Sequence, residues 1–164
     1  MSQVSADELR RTMARLVSGV SVVTARAGRH DVAATVTSLV SASLEPPIVL
    51  FTVHRDGRLR EVVDVGQAWA ASILGADGRA AARWLSDPGR PLLDQLIRIP
   101  HREGEHSGAA ILDVATAWLE ARTLWVVEAG SHDVVGGEVL ATGVNADRDG
   151  AVLHGYGRLE EWGR

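Results

Sequence analysis

At 164 residues, with 46% apolar and 23% charged side chains, the chain is long enough for one buried core and too hydrophobic to be disordered. A formal net charge of -4 offers no basic face for nucleic acid. The absence of cysteine excludes disulfides, thiolate catalysis and cysteine-ligated metals, and the absence of lysine excludes Schiff-base chemistry. The opening MSQVSADELRR lacks the apolar core of a secretory signal. No apolar run approaches the roughly 18 residues of a membrane span. A soluble, cytoplasmic protein without nucleic-acid or membrane partners is expected.

The first predicted element is a helix. Ser5 and Glu8 have capping-box spacing, and Leu9, Met13 and Leu16 at helical spacing predict one face packed on the body. Gly19 ends the helix, and Val20, Val22, Val23 and Thr24 form a β-branched strand. Residues 27–30 read as a hairpin turn. Next comes DVAATVTSLVSASLEPPIVLFTV, residues 31–53. It is a small-residue strand, a run of hydroxyls at Thr35, Thr37, Ser38, Ser41 and Ser43, a turn at Pro46 and Pro47, and an apolar strand from 48 to 53. Residues 55–57 make a polar turn and 58–65 a short helix. A strand spans 68–74 and includes Trp69, and a helix spans 77–85 with Asp77 able to cap it.

Pro91, Leu92 and Leu93 lead into an irregular stretch, 97–112. Two long strands, 118–128 and 134–144, are joined by a turn at 129–133. Trp118 and Trp125 are an odd number of residues apart, hence on opposite faces of their strand. A last hairpin at 147–150 returns 152–156. Many short strands, few helices and no strand–helix alternation argue for an antiparallel barrel, and no G-x-G-x-x-G follows a strand. With no repeat, low-complexity tract or linker, residues 1–164 are read as one domain.

Five hydroxyls between two strands are more than a turn needs. Ser and Thr supply donors and acceptors without charge, so they can surround a polar ligand. Thr, Val and Ala keep the backbone extended, which lets a flat molecule approach the main chain. The plain alternative is that these hydroxyls bond their own backbone. The residue types alone name no ligand.

The order of four pieces carries a resemblance. A helix, then SGVSVVTA, VAATVTSLVSASLEPPIVLF and, much later, GSHDVVGGEV resembles the flavin reductase-like family with an FMN-binding split barrel. There the corresponding pieces read roughly GVTVVT, GMTANSFTSVSLDPPLVL and GDHTLFIGEV. The match runs from Leu9 to about Tyr156. The resemblance implies a mainly β fold, a six-stranded antiparallel split β-barrel with peripheral helices. It also implies NAD(P)H-dependent reduction of FMN, with FAD possible as the flavin and NADH or NADPH as hydride donor. A homodimer with flavin near the subunit interface is implied, as is transfer of reduced flavin to a separate monooxygenase component. The alternative within the same fold is a non-catalytic FMN carrier or sensor.

By the same resemblance, the family's T-A-N-S falls on Thr35, Val36, Thr37 and Ser38, whose main chain faces the flavin ring. Ser41 and Ser43 continue the hydroxyl run, and Ser43 matches the Ser before the paired prolines. The family's phosphate turn carries small hydroxyls where this chain has Asp56, Gly57 and Leu59. A carboxylate there repels phosphate, which Arg55 and Arg58 are placed to offset. His132 falls on the histidine of the family's G-D-H, beside flavin and nicotinamide, and is the catalytic candidate; Ser131 replaces the Asp, and Asp133 is adjacent. Tyr156 and Arg158 occupy an H-R-G-R-like end that here reads G-Y-G-R. His101, Glu103, Glu105 and His106 are of metal-ligand type but lack strand or helix register, and no metal site is expected.

Overall fold

The capping box forms: the Ser5 hydroxyl accepts from the Glu8 amide, and the Glu8 carboxylate accepts from the Ser5 amide. It starts α1 (Ala6–Met13). The computed structural model describes residues 4–91 and 93–163; residues 1–3, 92 and 164 lie outside it, so Leu92 of the predicted 91–93 segment is not placed. No residue of α1 is buried, and Leu9, Met13, Leu16 and Val17 all stay more than half exposed. The expected packing of this face on the body is therefore corrected: the apolar stripe is open.

Twelve strands and one further helix follow. They are β1 (Ser18–Gly19), β2 (Ser21–Ala27), β3 (His30–Val36), β4 (Val40–Leu44), β5 (Pro47–His54), β6 (Ala68–Leu74), α2 (Arg79–Ser86), β7 (His101–Glu103), β8 (Ala110–Leu112), β9 (Ala115–Ala129), β10 (His132–Val144), β11 (Ala151–Gly155) and β12 (Arg158–Trp162). Seven form one sheet in the order β3-β2-β6-β9-β10-β5-β4, every pair antiparallel. Six strands of that sheet (all but β4) send Val23, Val32, Phe51, Trp69, Ala121, Val135 and their neighbours into one buried cluster. The sheet therefore curls around a single interior. Its end strands β3 and β4 are not paired with each other, which leaves the barrel split.

The main sheet has seven strands rather than six because the hydroxyl stretch itself contributes an extra edge strand, β4. Elsewhere, β1, β11 and β12 form a small sheet, and the stretch read as irregular holds the hairpin β7–β8. The helix expected over 58–65 shrinks to a 3-10 turn at Arg60–Val62. The helix expected from 77 begins at Arg79, after a 3-10 turn at Ala76–Gly78. Asp77 caps nothing; its carboxylate instead meets Arg148 at 3.0 Å.

β9 carries a bulge: Trp125 faces Gly136 and Thr123 faces Gly137, so Leu124 is the extra residue. That insertion resets the two-residue period. Leu119, Ala121 and Thr123 point inward, as does Val126, while Trp118 and Trp125 share the outer face. The prediction of opposite faces is thereby corrected. Each indole lies over a glycine of β10: Cβ atoms built at Gly136 and Gly143 would overlap Trp125 and Trp118.

Candidate functional site

β3 pairs only with β2, so one side of its main chain is an open edge. At Ala33 that side is used: its N–H donates to Gln95 Oε1 (3.2 Å) and its carbonyl accepts from Arg90 Nη2 (2.9 Å). The ladder has no register shift, so the N–H and carbonyl of Thr35, two residues on, point the same way. There the edge opens into a cleft of about 490 Å³. One wall is the bend from Ala34 through Thr35, Val36, Thr37 and Ser38; the end of β5 adds Thr52 and His54. Asp56, Gly57, Arg58 and His132 also line it, as do Leu85 and Ser86 of α2 with Pro88 and Arg90 beyond it. The volume is that of a small-molecule site.

The hydroxyls of the bend have separate tasks. Thr35 Oγ1 donates to the Ala82 carbonyl at 2.9 Å, tying the bend to α2. Ser38 Oγ accepts from both the amide (2.9 Å) and the hydroxyl (3.0 Å) of Thr52. The β4–β5 ladder ends at Val40 and Leu50, so Ser38 takes the place of the next rung. Its own proton is left to donate. Thr37 is exposed within the cleft, and Val36, at 7% exposure, belongs to the core. Ser41 and Ser43 do not line the cleft. The chain reverses into β4 directly after the bend, and they sit opposite Val49 and Ile48 on an edge strand.

The turn after β5 is braced from β10. Asp133 accepts from Arg60 Nε at 2.5 Å and lies 3.7 Å from Arg55 Nε. The hydrogen bond to Asp133, followed by that to Asp64 (2.6 Å), holds the Arg60 guanidinium above its ordinary pKa. Arg55 also meets Glu128 at 2.7 Å and, unlike the expected placement, does not line the cleft. Arg58 does line it, with Glu61 at 3.6 Å beside it. Asp56 sits at the rim with its side chain 93% exposed, so water screens its repulsion of an anion.

His132 is not a loose turn residue. A two-residue turn, Gly130 (φ +67°) and Ser131, makes it the first residue of β10, paired with Ala129 on one side and His54 on the other. The two imidazoles meet edge to face, 5.0 Å between centroids. Ser131 Oγ lies 3.0 Å from His132 Nδ1, while Asp133 points away toward the arginines. The Asp56 amide donates to His54 Nδ1 at 3.2 Å, which leaves the ring proton on Nε2.

Sequence reading missed His54, Thr52 and Arg90. The two-residue period of β5 separates Thr52 and His54 from the inward Phe51 and Val53, a signal that could have found both. Arg90 had none, since it reaches Ala33 across 57 residues of chain. Burial holds its pKa below the ordinary arginine value, against the nearby Asp87. Its Nε is buried without a partner among the described residues.

These groups suit a flat, hydrogen-bonding ring that carries an anion. The open main chain of Thr35 offers a donor and an acceptor, Thr37 and Ser38 offer hydroxyls, and Arg58 and Arg90 offer positive charge. Among the described residues, no three His, Asp or Glu side chains converge as a metal would require.

Residues 13–163 match the family model described as the flavin reductase like domain. The chain is 34% identical over 149 residues to an NADH-dependent FAD reductase of Streptomyces globisporus, covering 90% of this chain and 81% of that one. It is 34% identical over 135 residues to an NADH:riboflavin 5'-phosphate oxidoreductase of Streptomyces pristinaespiralis, covering 80% and 74%. Among solved structures, the flavin reductase component of a bacterial two-component tryptophan halogenase superposes with a TM-score of 0.88 at 28% identity, covering 98% of this chain and 99% of that one.

Proposed function

The chain belongs to the flavin reductase-like family, and we propose that it is an NADH-dependent flavin reductase whose flavin lies in the cleft at the open edge of β3. The observation that carries this placement is the unpaired main chain of Thr35 facing a cleft flanked by His54, His132, Arg58 and Arg90. A bound flavin supplies the acceptor for a hydride leaving nicotinamide C4. The chain's own part would be to hold the two rings in a fixed relation to each other.

In this reading the main-chain N–H and carbonyl of Thr35, with the Thr37 and Ser38 hydroxyls, fix the ring's polar edge. Val36 and Leu85 give it apolar cover. Arg58 and Arg90 hold the phosphate, and the exposed Asp56 weakens that grip slightly. His132, buttressed by His54, would stand beside the bound flavin and nicotinamide, with its ring N–H available as a hydrogen-bond donor to them. Ser41, Ser43 and Arg55 support the site from outside it.

Residues 1–164 act as one domain, and the protein works in the cytoplasm, where reduced nicotinamide is made. Among the described residues no helix is long and apolar enough to cross a membrane. The open stripe of α1 supports a homodimer. Diffusion of reduced flavin to a separate oxygenase component is the downstream step, by analogy with the halogenase reductase.

The test is an anaerobic absorption spectrum of the purified protein with FMN or FAD, before and after NADH. Bound flavin that bleaches catalytically with NADH is the expected result. A protein that binds flavin but leaves NADH unoxidised is a carrier, and one that ignores added flavin sinks the assignment.

A further inference from the structure

Gln95 is 3% exposed, although it sits in an irregular segment beyond α2. A buried polar side chain is costly unless bonded, and here both ends of the amide are used. Its Nε2 donates to the Pro91 carbonyl at 3.0 Å, and its Oε1 accepts from the Ala33 amide at 3.2 Å. Two anchors hold it in place. Trp84 Nε1 donates to its main-chain carbonyl at 2.9 Å, and its neighbour Leu96 is buried in the cluster that includes Ala82 and Leu85 of α2. An apolar residue of the same size would fill the space and leave the Ala33 amide unbonded, so burial alone does not account for a glutamine here.

On β3, Gln95 performs half of a task. Arg90 Nη2 donates to the Ala33 carbonyl at 2.9 Å, so the outward N–H and carbonyl of Ala33 are both satisfied. A neighbouring strand supplies such a pair of bonds from one backbone residue. Two side chains supply it here, 62 and 57 residues along the chain. The imitation strand stops after one rung. Thr35 lies two residues on, roughly 6.5–7 Å along the strand, and its outward N–H and carbonyl meet no partner among the described residues. Its side chain is tied down separately, through Oγ1 to the Ala82 carbonyl. A free rung held straight by the bonded rung before it presents its donor and acceptor in a fixed direction. Such preorganisation raises affinity, because the ordering cost is met on folding rather than on binding.

We propose that Gln95 is a positioning residue for the flavin. Together with Arg90 it closes the β3 edge at Ala33 and holds the Thr35 main-chain pair ready for the polar edge of the ring. Gln95 does this from behind, since it does not itself line the cleft. The proposal rests on the flavin reductase reading.

The experiment uses the full-length protein, with Gln95→Met, which keeps the bulk and removes both bonds, and Gln95→Glu, which keeps an acceptor for the Ala33 amide. All measurements are made well below each variant's thermal midpoint. Amide hydrogen exchange read by NMR follows Ala33 and Thr35, and fluorescence quenching gives the FMN affinity. In the wild type Ala33 exchanges slowly, and FMN slows Thr35. In Gln95→Met the Ala33 amide loses its protection and FMN binds about tenfold more weakly, while Gln95→Glu recovers part of both. A residue with only a structural role lowers the thermal midpoint and leaves FMN affinity alone. An affinity of Gln95→Met within about twofold of the wild type's therefore overturns the proposal. So does FMN binding that leaves wild-type Thr35 exchange unchanged, a result that needs neither variant to fold. Both of these leave the chain a flavin reductase; a wild type that binds no flavin refutes that reading, and the proposal with it.

Discussion

Asp56 and His132 show how differently two side chains lining one cleft behave. Asp56 projects into water, so its repulsion of a phosphate in the proposed site would be mild. Asp56→Ser is expected to tighten flavin binding by up to about fivefold, roughly 1 kcal/mol at a surface-like dielectric. Quenching of flavin fluorescence measures it, and weaker binding would place the phosphate elsewhere. His132 is held from three sides: by Ala129 and His54 through the sheet, and by the Ser131 hydroxyl. His132 and the bend from Thr35 to Ser38 could be named as candidates because they sit inside short strings of recognisable order, and the fold brings them to one cleft. Nothing in the sequence says that Arg55 will pair with Glu128 and Asp133 instead of lining the cleft.

At the scale of elements, strands β9 and β10 are shaped by what replaces a missing side chain. Gly104 offers an example beyond the tryptophan–glycine contacts. Glu120, 1% exposed, accepts from the His106 amide and from both the amide and hydroxyl of Ser107, and a Cβ at Gly104 would overlap that carboxylate. Gly104→Ala is expected to cost about 1–3 kcal/mol in urea unfolding. Burial alone would raise the Glu120 pKa, but the bonds from Ser107 and His106 outweigh it and the net shift is downward. Its folded value therefore lies below the unfolded value of about 4.3. The stabilisation is full above that pH and is lost as pH falls through the folded value. Glu120→Gln cannot titrate, so its thermal midpoint is expected to fall less steeply than the wild type's below about pH 4.3. Parallel curves would show that this carboxylate contributes nothing to acid sensitivity.

For the molecule as a whole, the open apolar stripe of α1 carries the clearest consequence. A helix with no fully buried residue gains little from its own chain, since packing supplies most helical stability in proteins. A second copy covers it in the proposed dimer. Leu9→Asp with Met13→Asp is expected to shift the protein from dimer to monomer in analytical ultracentrifugation, with little loss of fold because both side chains face solvent. An unchanged sedimentation coefficient would move the interface elsewhere.

Local chemistry was enough to determine much of this protein from its sequence: the capping box of α1, the limits of β6 and the paired long strands. Each is decided by neighbours a few residues apart. Tertiary structure alone decided that the bend lies at an unpaired edge, that His54 stands against His132, and that Arg90 reaches Ala33. It also decided that one extra residue in β9 turns two tryptophans to the same face. Those outcomes depend on which strands meet and where a ladder slips. Strand pairing joins residues tens of positions apart, and a single bulge reverses every side chain beyond it.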